Sequence, residues 1–329
     1  MILITGAAGF IGSNIVAELN EQGRTDLVLC DLLRQGSKWH NLRKRAFVDI
    51  VPPPELAAWL RGPAAQKITA VVHMGANSST MATDGDEIMQ RNFRFSNMLL
   101  DWTAERAIPF IYASSAATYG EGEEGYDDNA DFEHLKRLRP LNLYGWSKHI
   151  FDQAVVERRK RGEAMPPLCV GLKFFNVYGP NEQHKGAMQS VVSKIFRSIT
   201  EGEQVRLFRS HRPEYADGEQ MRDFVYVRDI CRVITHLLAR REGFGLFNVG
   251  SGEARTWLDL ARAVFAAMER EASIDFIDMP QELRAKYQYY TKADITRLRG
   301  FGYNAPMQSL EAGVTDYVRH FLSQADSYR

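Results

Sequence analysis

The chain has three cysteines, no apolar run near the ~18 residues needed to cross a bilayer, and no surplus of either charge sign. Each shortage excludes something. Cys30, Cys169 and Cys231 are odd in number, sit among apolar residues and lack metal-ligand spacing. No disulfide framework and no metal site are therefore expected, and the thiols read as buried groups of a reducing compartment. Lys+Arg and Asp+Glu both number 41, so charge gives no reason to expect a nucleic-acid or membrane partner. Met1 leads directly into an apolar strand, leaving no room for a signal peptide, and a cytoplasmic location is expected. Internal repeats and long low-complexity segments are also missing from the 329 residues.

What is present starts at once. Met1-Ile2-Leu3-Ile4 reads as a strand and runs into Thr5-Gly6-Ala7-Ala8-Gly9-Phe10-Ile11-Gly12. A glycine-rich turn between strand and helix suits a pyrophosphate. Gly6 can take the tight turn, Gly9 lets the backbone approach phosphate oxygens, and Gly12 lets helix and sheet pack closely. A helix expected from about Ser13, with Ile15, Val16 and Leu19 inward and Gly23 as its stop, offers free N–H groups to the anion. A second strand, Leu27-Val28-Leu29-Cys30, ends at Asp31, about 20 residues beyond the glycines, where a carboxylate meets an adenosine ribose. Strand, turn, helix, strand and acid in this order predict a dinucleotide site.

Further strands are expected at 70–74, 109–113 and 168–172, with a polar turn at Gly75-Ala76-Asn77-Ser78-Ser79 and a helix from about Glu87 to Arg106. The alternation predicts an α/β fold, a Rossmann-type doubly wound parallel sheet with ligands beyond the carboxyl ends of its strands. After about Asn176 the pattern loosens: Ser210–Gln220 reads as an exposed loop, and 224–227 and 246–249 as strands. The expected division is an NAD(P)-binding domain of 1–175 plus about 222–249, and a smaller interleaved C-terminal substrate-binding α/β domain of about 176–221 and 250–329.

Tyr144-Gly145-Trp146-Ser147-Lys148 puts a phenol and an ammonium four residues apart, on one face of a helix. A tyrosine near pKa ~10 is a poor base at neutral pH, and lowering it by about three units takes roughly 4 kcal/mol. A cation at ~4 Å and an effective dielectric of about 20 supplies energy of that order. Lys148 can also hydrogen-bond a cofactor ribose. Ser115, in Ala113-Ser114-Ser115-Ala116-Ala117-Thr118-Tyr119-Gly120, follows a strand at the edge where the site is expected and can bind a substrate oxygen beside Tyr144.

Together the glycine turn, the serine and the Tyr/Lys pair resemble the extended short-chain dehydrogenase/reductase superfamily over nearly the whole chain. Narrower stretches are similar to the ADP-L-glycero-D-manno-heptose 6-epimerase family: Asn77-Ser78-Ser79-Thr80, Pro140-Leu141-Asn142-Leu143-Tyr144-Gly145, Phe175-Asn176-Val177-Tyr178-Gly179-Pro180 and Arg222-Asp223-Phe224-Val225-Tyr226-Val227. The more discriminating ones are His184-Lys185-Gly186 and Tyr287-Gln288-Tyr289-Tyr290-Thr291-Lys292-Ala293-Asp294.

The resemblance implies inversion of an exocyclic carbon, C6″ of an ADP-linked heptose, by transient oxidation to a ketone and hydride return from bound NADP. Tyr144 and Lys185 would be the two proton-exchanging groups, one for each face. The cofactor would be lined by Gly6, Gly9, Phe10, Ile11, Gly12, Asp31, Leu32, Lys38, Met74, Gly75, Ala76, Asn77, Ser78, Asn92, Lys148 and Val177. The substrate would meet Ser115, Asn176, Ala187, Lys194, Phe208, Arg209, Ser210, Arg222 and Tyr287, with Arg222 pairing its diphosphate. A homo-oligomer is implied, a homopentamer being the state suggested, and no metal. Four positions depart from the family pattern: Met74 for an acid, Asn77 for a cysteine, Leu32 for an asparagine and Pro53 for a lysine. Asp31 by itself favours a free 2′-hydroxyl and NAD, whereas Arg34 and Lys38 favour a 2′-phosphate; the resemblance implies NADP.

Three other readings stay in view. A UDP-sugar 4-epimerase needs only the Tyr/Lys pair. A 4,6-dehydratase carries an acid pair after the threonine of the serine strand, where this chain has Tyr119-Gly120. A catalytically silent nucleotide sensor uses the same fold as a binding module.

Overall fold

The computed structural model describes residues 1–284 and 287–329. Its central sheet has seven parallel strands: β1 (Ile2–Thr5), β2 (Leu27–Cys30), β3 (Asp49–Val51), β4 (Ala70–His73), β5 (Phe110–Ser115), β6 (Leu168–Phe174) and β10 (Gly243–Val249). Their order, β10-β6-β5-β4-β1-β2-β3, reverses direction between β1 and β4. That reversal opens the crevice in which a doubly wound sheet binds its ligand.

Strands β1, β2, β4 and β6 are buried along their whole length, as expected of parallel strands covered on both faces. Successive side chains point to opposite faces. Ile2 and Ile4 pack with Ile15, Val16, Ile230 and Ile234 from helices Phe10–Glu21 and Val227–Leu238. Leu3 packs in the core shared by Leu99, Leu100, Phe151 and Val155, from helices Phe95–Glu105 and Leu143–Lys160.

A smaller region adds a three-stranded sheet of β7 (Asn176–Tyr178), β9 (Met221–Tyr226) and β11 (Ala254–Thr256), in the order β11-β9-β7. β8 (Val205–Phe208) pairs in parallel with β12 (Ile274–Ile277). Their core includes Val192, Ile195, Val205, Phe224, Val264 and Tyr317.

One expectation needs correcting. The first helix starts at Phe10 and not near Ser13, because Gly12 packs inside it against the Gly6 turn, with Gly9 as its extended N-cap. The helix expected over 87–106 is present as an unbroken helical run, Gly85–Ile88, a π turn at Met89–Arg94 and Phe95–Glu105, and only the π turn is unforeseen. The stretch 210–220 is largely exposed, although Gly218 and Gln220 turn inward. Cys30, Cys169 and Cys231 are buried free thiols. Among the described residues no helix is long and apolar enough to cross a membrane.

Candidate active site

The crevice between β1 and β4 is built first by the glycine turn. Gly6 has φ +65°, and a Cβ on it would come within 2.7 Å of the Gly75 nitrogen. The loop after β4 (Met74 to Ser78) therefore lies directly against the turn. Gly9 is different: an added Cβ would meet only atoms of Gly6, the carbonyl oxygen at 3.1 Å. Its open side faces away from protein, beside the N-terminus of the Phe10–Glu21 helix. A cradle of bare backbone at a helix start fits a dinucleotide pyrophosphate.

At the end of β2 the Asp31 carboxylate accepts the Ala8 N–H at 2.8 Å and the Leu32 N–H at 2.7 Å. Lys38 Nζ donates to the same carboxylate at 2.5 Å and to the Leu32 carbonyl at 3.3 Å. Asn41 donates to the Ala8 carbonyl at 2.8 Å, closing the adenosine end. These residues fit the ribose of a nicotinamide dinucleotide.

A buried chain of hydrogen bonds runs from the turn to the catalytic helix. Thr5 Oγ1 accepts the Gly75 N–H at 3.1 Å and lies 2.6 Å from His73 Nδ1. His73 Nε2 is 2.8 Å from Ser96 Oγ, whose own proton goes to the Asn92 carbonyl at 2.6 Å. Ser96 can then only accept, so His73 carries its proton on Nε2. Burial and the Lys148 charge hold this imidazole well below its usual value, and it stays neutral. Asn92, in the π turn, accepts the Asn77 N–H at 2.8 Å and donates to the Asn77 carbonyl and to Ser147 Oγ, each at 2.9 Å. Ser147 in turn donates to the Tyr144 carbonyl at 2.7 Å.

Helix Leu143–Lys160 begins at Asn142, whose side chain accepts the Gly145 N–H at 2.8 Å. Gly145 lies so near the Ala117 carbonyl that a Cβ would meet its oxygen at 2.6 Å. This close approach brings the half-buried Tyr144 beside Ser115, whose hydroxyl favours the phenolate. The Tyr144 phenol was expected to be lowered by Lys148. In the protein alone it is raised: burial pushes it up, the Ser115 hydroxyl offsets part of that, and the Asp152 charge adds to it. Burial instead lowers Lys148, to about 8, against the opposing charge of Asp152.

Asp152 was not singled out from sequence, although it stands four residues beyond Lys148 on the same helix face. It accepts from Tyr112 Oη at 3.1 Å, Ser114 Oγ at 2.7 Å and Lys173 Nζ at 2.7 Å. Lys173, in β6, also donates to Thr118 Oγ1 at 2.8 Å, and Thr118 donates to the Ser115 carbonyl at 2.8 Å. Both members of the ion pair are fully buried.

Lys185 is on the turn Gln183–Met188, with Nζ 5.1 Å from the centre of the Phe10 ring. It thus reaches the first residue of the helix that opens at the cofactor turn. Burial lowers its ammonium, Glu182 raises it and Lys194 lowers it. Ala187, Lys194 and Asn176 are exposed, and Val177 is half-buried.

On the substrate side Arg222 is buried, its guanidinium 5.2 Å from the Tyr287 ring and 5.8 Å from the Trp257 ring. Its fork donates to the carbonyls of Met221, at 2.8 Å, and Gln288. Phe208 meets Tyr287 with ring centres 6.4 Å apart, and Gln288 donates to the Gly120 carbonyl, joining this cluster to the Ser115 turn. Arg209 stands apart, exposed at 3.8 Å from Asp217, and Ser210 Oγ folds back on the Arg212 carbonyl at 2.7 Å.

Comparison with known proteins extends this picture. The pattern of the NAD dependent epimerase/dehydratase family matches residues 2–250. An ADP-L-glycero-D-manno-heptose-6-epimerase of Nitratidesulfovibrio vulgaris is 49% identical, and one of Fusobacterium nucleatum is 44% identical, each alignment covering 100% of both chains. The crystal structure of the Helicobacter pylori ADP-L-glycero-D-manno-heptose-6-epimerase superposes with a TM-score of 0.76 at 27% identity, over 97% of this chain and 95% of that one. With a dinucleotide cradle, a Tyr144–Ser115 contact beside Lys148 and relatives of this kind along its full length, the chain belongs to the NAD dependent epimerase/dehydratase family.

Proposed function

We propose that this protein inverts C6″ of ADP-D-glycero-D-manno-heptose to give the L-glycero epimer, a step in supplying precursors for the lipopolysaccharide core. Full-length identity of 44–49% to proteins so named supports the substrate. The observation that supports this chemistry is the separate placement of two titratable side chains, Tyr144 and Lys185, to which the reading assigns the two proton transfers. Tyr144 sits on Ser115 at the carboxyl edge of β5, and Lys185 sits over Phe10 at the mouth of the cofactor turn.

A bound nicotinamide supplies reversible hydride acceptance at C6″. The chain's own work is to move protons. As hydride leaves C6″, one residue takes the proton from its hydroxyl and a ketone results. The ketone turns about its exocyclic bond, so the oxygen points elsewhere when hydride returns to the opposite face. A second residue must then give the proton. Tyr144 and Lys185 fill these two places, Ser115 holds the oxygen on the Tyr144 side, and Lys148 holds the cofactor ribose. Arg222 and Tyr287 line the nucleotide side.

The cofactor in this reading is NADP, with Lys38 and the exposed Arg34 facing the 2′-phosphate. A homo-oligomer, with a homopentamer as the specific expectation, goes with it and is checked by sedimentation. The deciding experiment follows ADP-D-glycero-β-D-manno-heptose by NMR with wild type, Tyr144→Phe and Lys185→Met. Interconversion of the C6″ epimers by wild type, lost in both variants while cofactor is retained, is expected. A wild-type protein that holds cofactor yet leaves this substrate untouched overturns the reading and directs the search to UDP-sugars.

A further inference from the structure

Glu182 is fully buried, and the chemistry above makes no use of it. Its carboxylate accepts the Ser190 N–H at 2.5 Å, the Ser190 hydroxyl at 2.5 Å and the Tyr317 hydroxyl at 3.0 Å. Ser190 is the N-cap of helix Val191–Glu201, and Tyr317 ends helix Leu310–Tyr317. The Glu182 carbonyl accepts the Lys185 N–H at 2.9 Å. One side chain therefore ties the lysine's turn to two separate helices.

Among the described residues the carboxylate's hydrogen-bond partners are the uncharged Ser190 and Tyr317, and no ion pair joins it to Lys185. A buried carboxylate without a direct counterion is costly to keep: burial pushes Glu182 up while the Ser190 hydrogen bonds, the Lys185 charge and the Tyr317 hydrogen bond favour its charged form, and this placement asks for an account. Its geometry supplies one. Three of its roughly four acceptor positions are taken by Ser190 and Tyr317, and Glu182 lends Lys185 its field without occupying the ammonium's hydrogen-bond donors. A direct ion pair would take up those donors and hold the lysine away from a substrate oxygen.

Several groups face this pair. On the lysine's own turn His184 has its Nδ1 3.2 Å from Asn41 Nδ2, and burial lowers it to about 4, so it is neutral. From helix Val191–Glu201 comes Lys194, and from helix Phe10–Glu21 the uncharged Phe10 ring. Behind Tyr317 lies Tyr226, which donates to Asp316 at 2.6 Å. Burial and Lys194 favour the neutral amine of Lys185, and Glu182 acts against both.

We propose that Glu182 is a positioning residue for Lys185: its anchored carboxylate fixes the turn that carries the lysine and lends the ammonium its field while leaving the donors free. The inference rests on Lys185 exchanging a proton with the substrate oxygen.

The test uses holoenzyme carrying 15N-labelled lysine, with the Lys185 resonance identified by its loss in Lys185→Met. In Glu182→Gln, the Lys185 titration is expected to move down, because the charge that opposes burial and Lys194 is gone. kcat should fall about tenfold with KM and cofactor content held, because the lysine loses its placement at the substrate oxygen. Glu182→Asp keeps the charge and should leave the Lys185 titration close to wild type while kcat still falls through the shortened reach. It also serves should the glutamine variant fold poorly. A Lys185 titration unchanged in Glu182→Gln, or shifted equally in Glu182→Asp, overturns the inference. If Lys185→Met epimerises normally, the assignment of Lys185 as a base fails instead, and the titration identifies which of the two has gone.

Discussion

Lys38 Nζ stands 2.5 Å from Asp31 Oδ1 at the carboxyl end of β2. The contact changes what the aspartate does. An unpaired carboxylate there repels a 2′-phosphate and accepts hydrogen bonds from a free ribose. Paired, its charge is balanced and the ammonium, bonded also to the Leu32 carbonyl, keeps one donor for a phosphate. Lys38→Ala should therefore weaken NADP binding by about ten- to a hundredfold, the scale of one charged hydrogen bond at about 1.5–3 kcal/mol. NAD binding should hold or improve. Calorimetric titration of cofactor-stripped protein with each dinucleotide measures both, and an equal loss for the two would end the assignment of Lys38 to the 2′-phosphate.

Burial brings Lys148 to about 8, within reach of ordinary buffers. The ammonium is the form that donates to a ribose hydroxyl and supports a phenolate on Tyr144. It is present below that value and lost above it. Cofactor affinity of the stripped protein should thus decline as pH rises through about 8. Lys148→Arg stays charged throughout this range, so the decline should vanish in that variant even if its affinity is lower overall. Fluorescence titrations between neutral and alkaline pH decide it: a flat wild-type profile counts against the lysine–ribose contact.

The Asp152–Lys173 pair sits under the site with both side chains fully buried. Removing one partner strands the other charge. Lys173→Met should cost about 3–5 kcal/mol in urea denaturation. Replacing both residues with apolar ones should recover part of that, since only the Tyr112, Ser114 and Thr118 hydroxyls then lose a partner. If the single variant loses less than about 1 kcal/mol, the pair is not under the strain that burial implies.

Legibility followed the range of each interaction. Gly6, Gly9 and Asp31 could be read because turn conformation and strand–helix order are local properties, and Tyr144 with Lys148 because four residues make one helical turn. The start of the first helix was misread since glycine is a poor helix former, whereas Gly12 is kept helical by its contact with the Gly6 turn. Asp152 lay at a readable spacing, yet its partner Lys173 comes from another element, and no local pattern joins them. The same holds for His73 and Ser96. Arg222 shows a different limit. Its residue type suggested a fork open to phosphate, but the late segment runs beside β9, with the Met221 N–H on the Tyr289 carbonyl at 2.8 Å, and brings the Gln288 carbonyl to the guanidinium.

The glycine turn also separates folding from binding. A Cβ at Gly12 would press on backbone, 2.7 Å from the Gly6 carbonyl carbon and 2.9 Å from Ala7 Cα. Neither can move without shifting β1 or the helix, so Gly12→Ala should lose on the order of 1–3 kcal/mol of stability through overpacking. At Gly9 the methyl meets only the Gly6 carbonyl, at 3.1 Å, and otherwise projects into the open cradle. Gly9→Ala should cost less stability than Gly12→Ala in the absence of cofactor, since it asks the Gly6 carbonyl to give by only a few tenths of an ångström. Its effect should appear in cofactor affinity, because the methyl occupies the space through which phosphate oxygens approach the backbone N–H groups. Thermal unfolding with and without dinucleotide reads the two together: the cofactor-induced rise in Tm should shrink in Gly9→Ala while the unliganded Tm falls less than in Gly12→Ala. A full rise in that variant would mean that the pyrophosphate does not rest on Gly9.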